Sequence, residues 1–320
     1  MNPIDAIIVQ SGRMILDGAL ATELERRGCA LDDPLWSARV LMESPELIAA
    51  VHRDYLAAGA DCITIASYQA TVAGFMRRGL SETQAVELIR SSVLIAKAVR
   101  EEFWRTQPQP ANRPHPLVAA SIGPYGAFLA DGSEYRGNYS LSTAALEAFH
   151  RQRLEILIAA SPDLLACETI PCLDEALVLA HLLERFPAMS AWISFSARNG
   201  QEISNGERIA DCARALARFP QIAAIGINCT APEHITELIG EIRANTTKPI
   251  IVYPNAGERY DVATHAWVGP SIHDRYADHA LAWHAAGARL IGGCCRTTPA
   301  DIAAVAAAIP PTASSRHVSR

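Results

Sequence analysis

Eight short apolar runs recur along the chain, and each gives way to small or polar residues. They are Met14–Leu16, Cys62–Ala66, Leu117–Ile122, Leu164–Cys167, Ala191–Phe195, Ile222–Ile227, Pro249–Tyr253 and Arg289–Ile291. The runs are continuous rather than alternating, as a parallel strand buried on both faces requires. Between most of them the apolar residues fall at three- and four-residue spacing, as in Pro45–Ala58, Ser81–Arg100, Thr143–Ala160, Leu173–Arg185 and Pro232–Ala244. That period predicts helices. Strand and helix alternating eight times, with no second composition regime, predicts an α/β protein built as a single (β/α)8 TIM barrel over residues 1–309. A doubly wound open sheet is the competing architecture, but no Gly-x-Gly-x-x-Gly turn follows the first run. Residues 107–116, rich in proline, read as a loop on the face away from the strand ends, and residues 310–320 as a disordered tail.

Composition narrows the function. Half of the 320 residues are apolar and 19% are charged, enough for a large core. The net charge of -6 is mild and no basic block occurs, which argues against nucleic acid or an anionic membrane as partner. No run reaches the length of a membrane span, and the N-terminus lacks the basic-then-apolar pattern of a signal peptide. A cytoplasmic location is expected. In that setting the eight cysteines suggest metal binding or catalysis rather than a disulfide framework. Cys62 and Cys212 read as core.

The chemistry concentrates where the strands end. Barrel enzymes carry their active sites at the C-terminal ends of the strands. Those ends hold Asp17, Tyr68, Glu168, Asn228, Cys229, Asn255, Cys294 and Cys295. Cys229 closes the sixth run and the Cys294-Cys295 doublet closes the eighth, with one strand between them, so three sulfurs can converge over the barrel mouth. Two adjacent side chains on an extended chain point apart, so the backbone must bend at the doublet, and Gly292-Gly293 is expected to allow it. Thr298 and Pro299 then predict the cap and first residue of a last helix. Three thiolates suit Zn2+ better than a hard cation. Such a site is electron-rich, a poor source of hydroxide and a better place to hold a fourth sulfur. The chemistry that needs it is alkyl transfer to a thiol. A zinc hydrolase would favour histidine and carboxylate ligands, and the ten histidines form no His-x-His pair at a strand end. A non-catalytic zinc or thiol sensor is the other alternative.

Asn228-Cys229, Gly292-Gly-Cys-Cys-Arg-Thr-Thr-Pro299 and Leu16-Asp-Gly-Ala19 together resemble the homocysteine S-methyltransferase family, from about Ile15 to Ala303. Leu35-Trp-Ser-Ala38, Ala66-Ser-Tyr-Gln-Ala-Thr71, Gly123-Pro-Tyr-Gly126 and Asp131-Gly-Ser-Glu-Tyr-Arg-Gly137 resemble its S-methylmethionine-using branch. The resemblance implies an enzyme that binds zinc through Cys229, Cys294 and Cys295. It further implies homocysteine as methyl acceptor, methionine as product, and S-methylmethionine or S-adenosylmethionine as donor. A betaine donor is the alternative within the family, and no cobalamin or folate domain is expected. It implies that Glu168 holds the homocysteine ammonium, against the alternative of a loop cap. Asp17 is assigned to substrate or ligand positioning, against the alternative of a turn residue. The amides of Gly18 and Ala19 are candidates for the substrate carboxylate. Tyr68 is a candidate for the donor cation, Trp36 for a pocket wall and Asn228 for orienting homocysteine; core packing or a strand-end cap are the bland alternatives. The 131–137 loop reads as a lid.

Overall fold

The eight apolar runs form one parallel sheet that curls back on itself. In chain order its strands are β1 (Met14–Ile15), β2 (Cys62–Thr64), β3 (Leu117–Ile122), β4 (Leu164–Ile170), β5 (Ala191–Phe195), β6 (Ile222–Asn228), β7 (Ile250–Tyr253) and β8 (Ala288–Ile291). The computed structural model describes residues 1–31, 35, 37–109, 113–261 and 266–312, leaving aside the side chains of 259–261, 266 and 267. Around the sheet the order is β1, β8, β7, β6, β5, β4, β3, β2. A parallel bridge from Leu16 to Cys62 joins the outer pair, and the Asp17 amide donates to the Cys62 carbonyl at 3.0 Å. This is the (β/α)8 barrel the pattern predicts.

Two apolar layers hold it together. Alternate strand residues, among them Met14, Leu16, Leu164, Trp192, Ile251 and Leu290, point inward and pack as one cluster. Helix Pro3–Ser11 runs directly into the start of β1 and adds Ile4 and Ile7 to that cluster, covering the end opposite the site. The remaining strand residues meet the outer helices in a larger shell. Gly226 is needed in the barrel, because a Cβ there would collide with the Ile251 carbonyl of β7. Burial on both faces drives the assembly, at roughly 25 cal/mol per Å² of apolar surface.

Departures from the pattern are local. The second long helix runs Glu82–Thr106, beyond the expected Arg100, starting at a Ser81–Gln84 capping box. Strand β4 continues to Ile170 through an irregular register after Cys167, so Glu168 and Thr169 lie within it rather than after it. A small antiparallel hairpin, Arg259–Asp261 with Ala266–Val268, follows β7 and was not expected. The last helix, Pro299–Ala308, is capped by Thr298 as expected, with Asp301 completing a capping box. Residues 313–320 of the expected tail lie outside the described residues, while the Thr312 amide donates to the Ser11 carbonyl at 3.0 Å. Cys62 and Cys212 are core, and all eight cysteines are free. Among the described residues, no helix is long and apolar enough to cross a membrane.

Candidate active site and metal centre

Cys229, Cys294 and Cys295 bring their sulfurs within 4.8 Å of one another at the barrel mouth. Cys229 follows the last residue of β6 and has a φ of 49°, a conformation costly for a residue with a side chain. Its amide still donates to the Tyr253 carbonyl at 3.2 Å, which fixes the turn. Beyond β8, the Cys294 amide donates to the Pro254 carbonyl at 2.8 Å, and the Cys295 carbonyl accepts from the Ala256 amide at 3.0 Å. Thr297 closes the loop: its amide and hydroxyl donate to the Cys294 carbonyl at 3.1 and 2.7 Å.

A turn from Cys294 to Thr297, with Arg296 at a φ of 70°, follows the end of β8, and neither Gly292 nor Gly293 takes a positive φ. Gly292 and Gly293 relieve close contacts. A Cβ on Gly292 would lie 2.7 Å from the Asp17 carbonyl, and one on Gly293 would collide with Thr297. Gly292 lets the end of β8 lie against the end of β1, and Gly293 makes room for Thr297.

The spacing suits a tetrahedral thiophilic ion. Thiolates about 2.3 Å from zinc sit roughly 3.8 Å apart. The Cys229 and Cys295 sulfurs are 3.6 Å apart. Hydrogen bonds from the Cys294 and Cys295 thiols hold the Cys229 thiol well below the usual cysteine range. The same bonds, seen from the other side, push Cys294 and Cys295 up. One thiolate shared among three sulfurs is a donor set that a cation would satisfy.

Beneath the sulfurs runs a connected polar ring. Asn228 Oδ1 accepts from the Thr169 amide at 2.7 Å and the Ser194 hydroxyl at 2.8 Å, and Asn228 Nδ2 donates to Thr169 Oγ1 at 2.7 Å. The Ser194 hydroxyl is 2.6 Å from the Tyr253 hydroxyl, which also accepts from Trp192 Nε1 at 2.9 Å. Tyr253 reaches Glu168 Oε2 at 3.1 Å, and the Ser121 hydroxyl donates to Glu168 Oε1. Glu168 is thus buried and fixed from two sides. Burial pushes its carboxyl up to about 7, against the lowering effect of Ser121 and Tyr253.

Asp17 occupies the seam between β1 and β2. Its carboxylate accepts from the Thr64 amide at 2.6 Å and the Thr64 hydroxyl at 3.2 Å, so both oxygens already tie two strands together. Burial pushes it up to about 8, and the nearby Glu168 adds to this. Gly18 packs where a Cβ would meet Thr297 and Tyr55, and the Ala19 amide donates to Thr297 Oγ1 at 3.2 Å. That contact engages one of the two amides expected to face a carboxylate. Trp36 lies outside the described residues.

The loop after β3 folds over the mouth. It carries a short helix, Tyr125–Leu129, and a 3-10 turn, Ser133–Tyr135. Gly126 lets the turn sit tightly, because a Cβ there would collide with the Glu134 amide. The Tyr135 hydroxyl lies 3.1 Å from the Cys229 sulfur. Tyr68 enters from the β2 end, hydrogen-bonded to the Thr169 side chain, with Glu134 and Cys229 close enough to raise its hydroxyl further.

Pattern reading named the sulfurs and Glu168 but not Ser121, Thr169, Ser194 and Tyr253, which hydrogen-bond around Glu168 and Asn228, nor Glu134 and Tyr135 as individual residues. Ser121, Ser194 and Tyr253 sit inside apolar runs, where an inward-facing polar side chain is the available signal. The DGSEYRG stretch does announce the loop.

Comparison with known proteins gives the family and the same fold. A family model described as homocysteine S-methyltransferase matches residues 14–309. A homocysteine S-methyltransferase, YbgG, of Bacillus subtilis is 58% identical over 307 residues, covering 96% of this chain and 98% of that protein. The Escherichia coli homocysteine S-methyltransferase is 52% identical with the same coverage. The metallated form of the E. coli homocysteine methyltransferase MmuM superposes with a TM-score of 0.86 at 50% identity, covering 96% of this chain and 99% of that one. Its oxidized form gives a TM-score of 0.87 at the same identity and coverage.

Proposed function

The chain belongs to the homocysteine S-methyltransferase family, and on that premise we propose that it moves a methyl group from a sulfonium donor to the thiol of L-homocysteine, giving methionine. S-methylmethionine and S-adenosylmethionine are the donors in view. The observation that carries the reading is the trio of sulfurs from the ends of β6 and β8, all within 4.8 Å. We assign Cys229, Cys294 and Cys295 to one Zn2+, a reading supported by their spacing and by the metallated form of the E. coli relative. Bound there, zinc would supply the Lewis acidity that lets a substrate thiol give up its proton at neutral pH.

The remaining roles belong to the chain's own side chains. Glu168, held by Ser121 and Tyr253, takes the homocysteine ammonium as a carboxylate. Asn228 is fixed by Thr169 and Ser194 and keeps the Cys294 side of the pocket in place, its Nδ2 4.0 Å from that sulfur. Asp17 braces β1 against β2 through Thr64, and so holds Gly18 and Ala19 at the pocket edge. Tyr68 and Tyr135 present ring faces to the donor cation. A sulfonium leaves as a neutral thioether, so no side chain need protonate it. Catalysis then rests on holding the acceptor sulfur in line with the donor methyl and excluding water. Reduced cysteines are a precondition, which fits the cytoplasm.

The test is methionine formation by the reduced, zinc-loaded protein with homocysteine and, separately, S-methylmethionine, S-adenosylmethionine or betaine. Turnover with a sulfonium, lost on chelation and restored by zinc, is expected. Turnover with betaine alone would overturn the donor assignment, and silence with all three would overturn the activity.

A further inference from the structure

The lid turn carries an acid that the roles above leave unused. Glu134 stands between Ser133 and Tyr135, and one of its carboxylate oxygens, Oε2, is sealed from solvent with no hydrogen-bond partner among the described residues. Leaving such an atom unpaired is costly, so a cationic partner there would be favoured. Its backbone is held from three sides. The Ser196 hydroxyl donates to the Glu134 carbonyl at 3.3 Å, the Gly137 amide closes the turn onto Ser133 at 2.9 Å, and Gly126 packs beneath. The side chain is therefore placed by the fold.

Its neighbours are mostly acidic or aromatic. Burial raises the Glu134 carboxyl, Cys229 and Asp131 add to this and Arg136 opposes it, and Glu134 in turn acts on Tyr68. Arg136, the nearby cation, is turned to the Asp131 and Ser133 side chains, at 3.7 and 3.2 Å. Deeper in the mouth are Glu168 and Asp17, whose hydrogen bonds among the described residues go to Ser121, Tyr253 and Thr64 and to no basic side chain. A pocket with an acid at its lid whose Oε2 lacks a partner, and a second acid at its floor that is hydrogen-bonded but faces no cation among the described residues, suits two cationic centres. Glu168 lies on β4 under the sulfurs. Glu134 lies above them, on the loop whose next residue touches the Cys229 sulfur.

We propose that Glu134 is the residue that recognises the positive charge of the methyl donor, its carboxylate facing the sulfonium between the Tyr68 and Tyr135 rings. This rests on the reading that the donor is a sulfonium. Its consequence is a sorting of substrate from product. The donor arrives cationic and is held; once the acceptor sulfur has formed its bond to the methyl carbon, and the methyl–sulfonium bond has passed its electron pair to the leaving sulfur, the neutral thioether is held no longer. Because the charge fades along the reaction, Glu134 stabilises the bound donor more than the transition state. Its removal should appear in donor KM and not as a loss of kcat.

The experiment compares the full-length, zinc-loaded protein with Glu134→Gln and Glu134→Asp, after matching zinc content and thermal unfolding. Calorimetry measures binding of S-methylmethionine and of methionine, its neutral thioether counterpart, and turnover gives KM and kcat. Glu134→Gln is expected to weaken S-methylmethionine roughly tenfold or more, the loss of one charge-assisted contact, with methionine and the KM for homocysteine changed by less than about twofold. Glu134→Asp should restore part of the loss. Equal weakening of both ligands, no change in either, or a fall in kcat with donor KM unchanged would overturn the proposal. A wild-type protein that binds the sulfonium through Glu134 yet makes no methionine would sink the proposed activity and leave this inference standing.

Discussion

The Tyr135 hydroxyl and the Cys229 sulfur, 94 positions apart in the chain, lie 3.1 Å from each other. One belongs to the loop over the mouth and the other to the metal-candidate trio, so lid and sulfur cluster form one unit. A hydroxyl donating to a ligand sulfur spreads that sulfur's charge, and groups in this position commonly carry 10–100-fold in metal affinity or activity. Tyr135→Phe is expected to keep the fold and lose zinc about tenfold more readily in competition with a chelator. Unchanged retention would leave Tyr135 as a wall of the pocket only.

Glu168 gives a prediction in pH. Burial places its carboxyl at about 7, so below that pH it is increasingly protonated and takes an ammonium less well. Wild-type kcat/KM for homocysteine should therefore fall with a limb near pH 7, a limb that reports the free enzyme. Glu168→Gln should lower kcat/KM by about 10- to 100-fold, the value of a hydrogen bond to a charged group, and should lack that limb. The pH profiles of both proteins check it; an identical limb in the variant would assign it to another group.

Stability offers a test away from the site. His52, on the helix Pro45–Ala57, is buried and neither ring nitrogen has a hydrogen-bond partner. Burial holds its pKa down at about 4, against 6.5 for the free side chain. Between those values the unfolded chain takes up a proton that the folded chain refuses, so this contribution falls as pH falls from about 6.5 to 4. His52→Leu removes it. The variant should gain about 2 kcal/mol on the wild type between pH 7 and pH 5, read from urea unfolding at both values. A gap independent of pH would mean that the imidazole is not held neutral.

Much of this architecture could be read from the residues, because its causes are local. Continuous apolar runs give doubly buried strands, and Thr298-Pro299 announces a capped helix; both stand where the pattern places them. The convergence of Cys229 with the doublet followed from strand order alone. What escaped was set by tertiary contact. The Gly292-Gly293 pair reads as a hinge, but the close contacts it relieves, Gly292 with Asp17 and Gly293 with Thr297, appear only once the strands meet. Glu168 reads as following its strand, but the register shift after Cys167 keeps it inside. Asp17 reads as a residue positioning substrate or ligand, or else as a turn residue, and its carboxylate accepts from Thr64 across the barrel seam. The network of Ser121, Ser194 and Tyr253 belongs to three strands that only closure brings together.

The central claim is that three cysteine sulfurs hold a metal and leave room for a fourth sulfur from the substrate. X-ray absorption at the zinc edge, on the reduced protein with and without homocysteine, tests it most directly. One zinc per chain is expected, with three sulfur neighbours at about 2.3 Å rising to four when homocysteine is added, and with the zinc lost in Cys229→Ala, Cys294→Ala or Cys295→Ala. A zinc with fewer than three sulfurs, or a sulfur count that homocysteine leaves unchanged, would contradict the account.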